Sequence, residues 1–105
     1  MSDVQELNEQ NFEDEVLHSS EPVLVEFTAN WCGPCKSFAP ITEKVASDYH
    51  DKVKVARVDI DQNPNVVQKY GVRSLPYAMV FKDGHKVDQL AGMTNYEHLV
   101  HMLGV

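Results

Sequence analysis

The sequence centres on the segment Trp31-Cys32-Gly33-Pro34-Cys35, which contains both of its cysteines. A disulfide between them would close a loop of four residues, and so short a loop stabilises by only about 2 kcal/mol, against more than about 4 kcal/mol for a long loop. Half of a zinc site is a second explanation, but the sequence has no second cysteine pair, although it has five histidines. The remaining interpretation is a dithiol that cycles between reduced and oxidised states.

Length and composition restrict the class of protein. A chain of 105 residues with 43% hydrophobic residues predicts one domain over residues 1–105 with a core of its own. Its net charge of −7 disfavours nucleic acid and anionic membrane as partners. No stretch approaches the roughly 18 apolar residues of a membrane span, and the N-terminal segment is neither basic nor apolar, so we expect a cytoplasmic protein. Cytoplasmic thiols are mostly reduced, which favours a catalytic over a structural cysteine pair.

Two elements are expected before the cysteines. Residues 4–7 predict a short strand, and Asn8 or Asn11 is the expected N-cap of a helix with an acidic first turn. Residues 23–27 form an almost continuous apolar run, which is typical of a strand buried on both faces. Glu26 is the one interruption of this run, which places a carboxyl group close to the cysteine segment.

The residues after the cysteines predict one amphipathic helix that ends near Tyr49. Its apolar positions are Cys35, Phe38, Ala39, Thr42, Val45, Ala46 and Tyr49. Pro34 falls in the first turn, where its missing N–H costs little, whereas Pro40 falls in the interior and should kink the helix. The two cysteines are therefore predicted to lie at a helix N-terminus.

The rest of the chain alternates strands and helices and closes with a hairpin and a helix. The expected elements are a strand over 53–59, a helix begun by Asn63-Pro64 and closed by Gly71, strands over 77–81 and 86–91 around the turn Asp83-Gly84, and a helix with apolar residues at 96, 99, 100 and 103. The hairpin requires two antiparallel strands, so the sequence predicts a mixed sheet with helices on both faces.

Several motifs stand at separations typical of one family. They are Trp31–Lys36, Ala39-Pro40, Asp61-Gln62-Asn63-Pro64, Tyr70–Pro76 and Phe81–Gly84. In this series the chain resembles the thioredoxin family over essentially its full length. The resemblance implies an α/β thioredoxin fold with a central five-stranded mixed sheet, four flanking helices and a cis peptide bond before Pro76 that faces the dithiol.

The position of the cysteines suggests their roles. The thiolate is the attacking species, and a helix N-terminus stabilises negative charge through its dipole and its free N–H groups. We therefore predict that Cys32 attacks a protein disulfide and that Cys35 is the buried thiol that resolves the resulting mixed disulfide. The resemblance implies the same roles.

Glu26 is the nearest candidate for the base that takes the proton from Cys35, and a salt-bridged structural carboxylate is the alternative. Burial would raise the pKa of Glu26, while Arg57, expected on the neighbouring strand, would lower it; the sequence leaves this balance open. Thioredoxins usually have Asp at the position of Glu26 and Lys at that of Arg57. A Glu there is more similar to some oxidase-type and isomerase-type relatives.

The resemblance also implies a small apolar face for docking the substrate. Its residues here are Trp31, Gly33, Pro34, Leu75, Pro76, Gly92 and Met93. The backbone of Leu75 is expected to pair with an extended substrate segment. Tyr77, which follows Pro76, stands where the family usually has Thr.

The sequence thus favours a monomeric protein-disulfide reductase without a bound cofactor or metal. The resemblance implies disulfide-containing proteins as substrates and thioredoxin reductase as the electron donor. Two alternatives stay open: a thiol oxidase or disulfide isomerase with the same fold, and an interaction module that binds partners without turnover.

Overall fold

The computed structural model describes residues 3–105 and contains one five-stranded sheet. The strands are β1 (Gln5–Leu7), β2 (Val23–Thr28), β3 (Lys54–Asp59), β4 (Tyr77–Lys82) and β5 (His85–Ala91). Their order in the sheet is β1-β3-β2-β4-β5, with β1 and β2 parallel to β3, β4 antiparallel to β2, and β5 antiparallel to β4. The predicted α/β fold with a five-stranded mixed sheet is confirmed.

Within residues 3–105, three α-helices and one π-helical segment flank the sheet. They are the π-helical segment Glu13–Leu17, α1 (Gly33–Asp48), α2 (Pro64–Tyr70) and α3 (Tyr96–Leu103). The helix expected after β1 is therefore a single π-helical stretch, and the prediction of an asparagine N-cap for it is wrong. Asn8 and Asn11 instead cap each other, because the Oδ1 of each accepts the backbone N–H of the other at 2.8 and 3.0 Å. Their side chains therefore accept backbone N–H groups of the turn that precedes the π-helical segment, rather than N–H groups of the segment itself.

The sheet buries a separate apolar cluster on each face. Leu24 of β2 packs with α1 and α3 on one face, while Val25 and Phe27 pack with the π-helical segment and α2 on the other. Successive side chains of a strand point to opposite faces, so Glu26 shares the face of Leu24 and lies under α1. Arg57, directly beside it in the register of β2 and β3, points to the same face.

The chain turns predicted from glycine are confirmed. Gly71 ends α2 with φ of 67°, a left-handed conformation that glycine adopts without steric cost. Asp83 and Gly84 join β4 to β5 with φ of 52° and 81°, the pair of positive angles that a tight two-residue hairpin requires.

Helix α2 begins where the sequence predicts, but its cap comes from elsewhere in the chain. The Asn63 side chain accepts no helix N–H and instead donates from Nδ2 to the Asp59 carbonyl at 2.8 Å. The Glu9 carboxylate accepts the backbone N–H groups of Asn65 and Val66 at 2.5 and 3.3 Å. A residue of the loop after β1 thus anchors the N-terminus of α2.

Candidate active site

Cys32 and Cys35 form a disulfide at the start of α1, with their Cα atoms 5.3 Å apart. Cys32 is the N-cap residue in an extended conformation, and Pro34 occupies the first turn as predicted. The Cys32 Sγ accepts the backbone N–H of Cys35 at 3.2 Å. This sulfur therefore takes the place of a capping side chain, and the helix offers it both a hydrogen-bond donor and the positive end of its dipole.

The two cysteines border different cavities. Cys32 and Cys35 are both buried, with exposed fractions of 5% and 2%, but only Cys32 borders the groove that also contains Trp31. That groove has a volume of about 470 Å³ and is lined by Trp31, Cys32, Gly33, Pro34, Ile60, Val72, Arg73, Ser74 and Leu75. Cys35 borders a second cavity of about 470 Å³ that Arg57 also lines. A partner that enters the first groove meets Cys32.

Most of the predicted substrate face lies around this groove. Trp31 is 68% exposed, Gly33 and Pro34 are exposed beside it, and Leu75 packs against the small buried cluster that contains both cysteines. The backbone N–H and carbonyl of Leu75 make no hydrogen bond to any of the residues 3–105. They are therefore available to an extended peptide.

Pro76, Gly92 and Met93 lie outside the lining of the groove. The Leu75–Pro76 peptide bond is cis, as the family resemblance implied, and Pro76 itself is buried. The backbone N–H of Gly92 donates to the Pro76 carbonyl at 2.8 Å, so the loop after β5 is held against the proline loop. Met93 follows with 47% of its surface exposed. Of these three residues, Met93 is the one that exposes a large apolar side chain.

Asp61 joins the site although the sequence did not single it out. Its Oδ2 accepts the Trp31 indole N–H at 2.8 Å and so orients an exposed aromatic ring. Trp31 follows β2 and Asp61 follows β3, and the ends of neighbouring parallel strands meet at the same edge of a sheet. An acidic residue just after β3 was the signal available in the sequence.

Glu26 is fully buried under α1. Its Oε1 accepts from the Thr42 hydroxyl at 2.6 Å and from the Arg57 Nε at 3.1 Å, while Oε2 has no hydrogen-bond partner among residues 3–105. Burial raises the pKa of the Glu26 carboxyl, and the two hydrogen-bond donors offset only part of this effect. The sequence left open whether burial or Arg57 has the larger effect on this pKa, and in the structure burial has the larger effect.

Arg57 connects the buried carboxyl to the cavity beside Cys35. Besides its contact with Glu26, its Nη2 lies 3.3 Å from the Thr42 hydroxyl and 3.4 Å from the Glu43 carboxylate. Its guanidinium is mostly buried and borders the cavity that Cys35 also borders. The predicted pair of Glu26 and Arg57 is therefore present as an ion pair within reach of the cysteine cavity.

The sequence pattern did not identify Thr42 as a residue of this site. Its place among the apolar positions of α1 predicted a packing role, and it is indeed fully buried. Its hydroxyl nevertheless contacts the one charged residue of β2. The sequence did contain a signal for this contact. Thr42 is a hydroxyl-bearing residue on the buried face of a helix, and Glu26 is a charged residue in a buried strand; buried polar groups need hydrogen-bond partners.

The two cysteines at the head of α1, beside a cis-proline loop at the edge of a mixed sheet, define a site for thiol–disulfide exchange. A protein-family model described as thioredoxin matches residues 3–104. The chain therefore belongs to the thioredoxin family, whose members are thiol–disulfide oxidoreductases.

Individual relatives agree with this assignment. The chain is 49% identical to "Thioredoxin 1" of Synechococcus elongatus over 92 residues, which cover 88% of this chain and 86% of that protein. It is 42% identical to "Thioredoxin" of Rickettsia bellii over 97 residues, or 92% of each chain. It is also 46% identical over 86 residues to "Thioredoxin M-type, chloroplastic" of Chlamydomonas reinhardtii, which cover 82% of this chain and 61% of that protein.

Within residues 3–105, no helix has the length and apolar character needed to cross a bilayer.

Proposed function

We propose that this protein reduces disulfide bonds in other proteins through a mixed-disulfide intermediate. The Cys32 thiolate attacks one sulfur of the substrate disulfide, and the other substrate sulfur leaves as a thiolate. Cys35, once deprotonated, then attacks the Cys32 sulfur and releases the second substrate thiol. Two electrons pass to the substrate, and the protein is left with the Cys32–Cys35 disulfide.

The observation that carries the proposal is the position of Cys32. Its sulfur accepts the Cys35 N–H at the head of α1 and borders the groove lined by Trp31 and Leu75. A sulfur that receives a hydrogen bond and a helix dipole is stabilised as the thiolate, the nucleophile of the exchange. Cys35 borders the other cavity, which suits it to the resolving step.

Glu26 is proposed as the base that accepts the proton of Cys35, with Arg57 modulating its ionisation. Support comes from the buried carboxyl, whose raised pKa brings it closer to that of a thiol, and from Arg57, which spans from this carboxyl to the cysteine cavity. A base whose pKa lies nearer to neutrality can both accept and release a proton during turnover.

The groove and its surroundings support extended segments of disulfide-bonded proteins as substrates. Trp31, Gly33, Pro34, Leu75, Pro76, Gly92 and Met93 would form the docking face, with the free backbone groups of Leu75 pairing to the segment. Backbone pairing does not depend on the substrate's side chains, so it permits many clients.

The cellular setting is proposed together with the reaction. We infer one monomeric domain over residues 1–105 that works without a cofactor, in the cytoplasm or, as the name of the Chlamydomonas reinhardtii relative suggests, a comparable reducing compartment. Relatives named thioredoxin support a thioredoxin reductase as the source of electrons.

Trapping of the intermediate tests the mechanism. The Cys35→Ser variant should accumulate a covalent mixed disulfide with a disulfide-bonded protein, detected by mass spectrometry and lost on adding dithiothreitol. The Cys32→Ser variant is the matched control and should form little adduct, because its remaining sulfur does not border the substrate groove. Release of reduced product by Cys35→Ser at the wild-type rate would contradict the proposal.

The reduction potential of the Cys32–Cys35 couple tests the direction of the reaction. A reductant should have a potential below the cytosolic glutathione poise of about −220 to −260 mV. A potential near about −180 to −120 mV would instead identify an oxidase or isomerase. An interaction module would retain its biological activity when both cysteines are replaced by serine.

A further inference from the structure

Thr42 is placed at the centre of the buried polar group around Glu26. It lies on the same face of α1 as Cys35, seven residues and thus two helical turns further along. Its hydroxyl donates to Glu26 Oε1 at 2.6 Å, a short distance that is typical of a hydrogen bond to a charged oxygen. The neighbouring buried residues Phe38, Val45 and Ala46 have only apolar side chains.

The two oxygens of the Glu26 carboxyl have different surroundings. Oε1 accepts from both Thr42 and Arg57, which uses the two lone pairs of a carboxylate oxygen. Oε2 is buried without a hydrogen-bond partner in the described part of the chain. A proton that binds to this carboxyl therefore meets the least competition at Oε2.

The Thr42 hydroxyl can also stay satisfied when Glu26 is neutral. It has one hydrogen and two acceptors in reach, since the Ala39 carbonyl lies 3.0 Å away on the preceding turn of α1. The ionised carboxylate is the stronger acceptor and takes the hydrogen. Protonation of Glu26 weakens Oε1 as an acceptor, and Ala39 can then receive the hydrogen without movement of any heavy atom.

We propose that Thr42 is the positioning residue of Glu26: with Arg57 it holds Oε1 and leaves Oε2 as the atom at which a proton binds and departs. The catalytic meaning of this arrangement depends on the proposed role of Glu26 as the base for Cys35. The Glu26 side chain reaches the third turn of α1, where the Thr42 hydroxyl defines where the carboxyl rests.

Other groups face Glu26 from each element packed against it. Arg57 lies beside it on β3, Thr42 and Glu43 lie above it on α1, and the uncharged Ala78 pairs with it on β4. The cavity that Arg57 borders also contains the charged residues Glu6, Lys36 and Asp59. None of the other groups is altered when Thr42 alone is replaced. The effect of Thr42 on the ionisation of Glu26 can therefore be separated from the effects of the other groups.

The test is a titration of the Glu26 carboxyl in the reduced protein, followed by ¹³C NMR and assigned by comparison with Glu26→Gln. Thr42→Val keeps the shape of the side chain and removes the hydroxyl. Its Glu26 pKa should be higher than in the wild type, because the ionised carboxylate loses its shortest hydrogen bond. Thr42→Ser should restore the wild-type titration, and Thr42→Ala provides a second variant without a hydroxyl if valine disturbs the packing.

A kinetic measurement provides the functional readout. Resolution of a preformed mixed disulfide at pH 7 should slow about tenfold in Thr42→Val, because this is the effect expected for the loss of one hydrogen bond to a charged group. The rate should recover as pH rises and the Glu26 carboxyl ionises. Val45→Ala is the matched control, since it removes buried apolar atoms of α1 about one turn from Thr42 and no polar group. It should change neither the titration nor the pH profile.

The outcomes separate this proposal from the proposed function. An unchanged titration in Thr42→Val, or a Thr42→Ser variant that behaves like Thr42→Val, overturns the positioning role even if Cys35→Ser still traps substrate. The titration needs no substrate, so a shift that serine reverses supports the positioning role even if the trapping experiment fails. In that case only the disulfide-reductase function is overturned.

Discussion

At the scale of single residues, Glu26 is the most unusual feature of the core. Its carboxyl has no exposed surface, and one of its oxygens lacks a partner within residues 3–105. A buried ion pair often contributes little net stability, because the cost of removing two charges from water offsets their attraction. Glu26 is therefore expected to reduce stability at neutral pH, a cost that fits its proposed role as the base for Cys35.

Glu26→Gln should be more stable than the wild type at neutral pH. Because the folded-state pKa of Glu26 is raised, the folded wild type holds its proton more tightly than the unfolded chain does. The wild type consequently loses stability as pH rises from the ordinary glutamate pKa through the raised one. Urea unfolding between pH 4 and 8 should show the advantage of the variant grow over this window and then level off.

Glu43→Gln is the control for this series, because Glu43 contacts the same Arg57 from the protein surface. Its free energy of unfolding should change by less than about 1 kcal/mol across the range. A Glu26→Gln variant that is less stable than the wild type at pH 7 would show that the ion pair stabilises the fold.

At the scale of elements, helix termini organise both the site and its support. The head of α1 receives a sulfur in place of a capping oxygen, which links helix formation to the chemistry of Cys32. The head of α2 is capped from a distance by Glu9. This contact ties the loop after β1 to the helix that follows Asp61, the residue that orients Trp31.

Glu9→Ala should lower the free energy of unfolding by about 1 kcal/mol, the usual cost of losing a helix cap. Two backbone N–H groups of α2 would lose their acceptor in this variant. Urea unfolding at neutral pH measures the effect. Gln10→Ala is the matched control in the same turn, since the Gln10 side chain is exposed, and it should cost less than about 0.5 kcal/mol. Equal losses for the two variants would refute the capping role.

At the scale of the whole molecule, the disulfide and the proposed docking groove lie at one edge of the sheet. The groove that Cys32 borders lies beside Trp31, while Arg57, the partner of Glu26, lines the cavity that Cys35 borders. Tyr77, which the family resemblance marked as standing in place of Thr, packs edge-on against Phe27 with ring centres 6.4 Å apart. It therefore contributes to the core on the face of the sheet opposite Glu26.

Trp31→Ala should lower kcat/KM for a disulfide-bonded protein about tenfold, because an exposed aromatic ring beside the groove supplies contact area to a large partner. Reduction of a small aromatic disulfide should change less than about twofold, since it needs little of the docking face. Val87→Ala removes another exposed apolar side chain, on β5, and should affect neither substrate. Equal losses for protein and small-molecule disulfides would show that Trp31 acts on the cysteines instead.

Local patterns in the sequence determined the elements and the reacting sulfurs. The spacing of Cys32 and Cys35, the prolines and glycines at element ends, and the Asp83-Gly84 turn each encode contacts within a few residues, so they are readable without the fold. The placement of Glu26 in an apolar strand likewise predicted a buried carboxyl near the dithiol.

The tertiary structure decided how distant side chains share hydrogen bonds. Thr42 meets Glu26 across 16 residues, Asp61 meets Trp31 across 30, and Glu9 meets Asn65 across 56. These contacts depend on the strand order β1-β3-β2-β4-β5 and on how α1 and α2 pack against it. Periodicity shows which face of an element is buried but not which polar group it will meet, because that partner is set by the neighbouring element rather than by the local sequence.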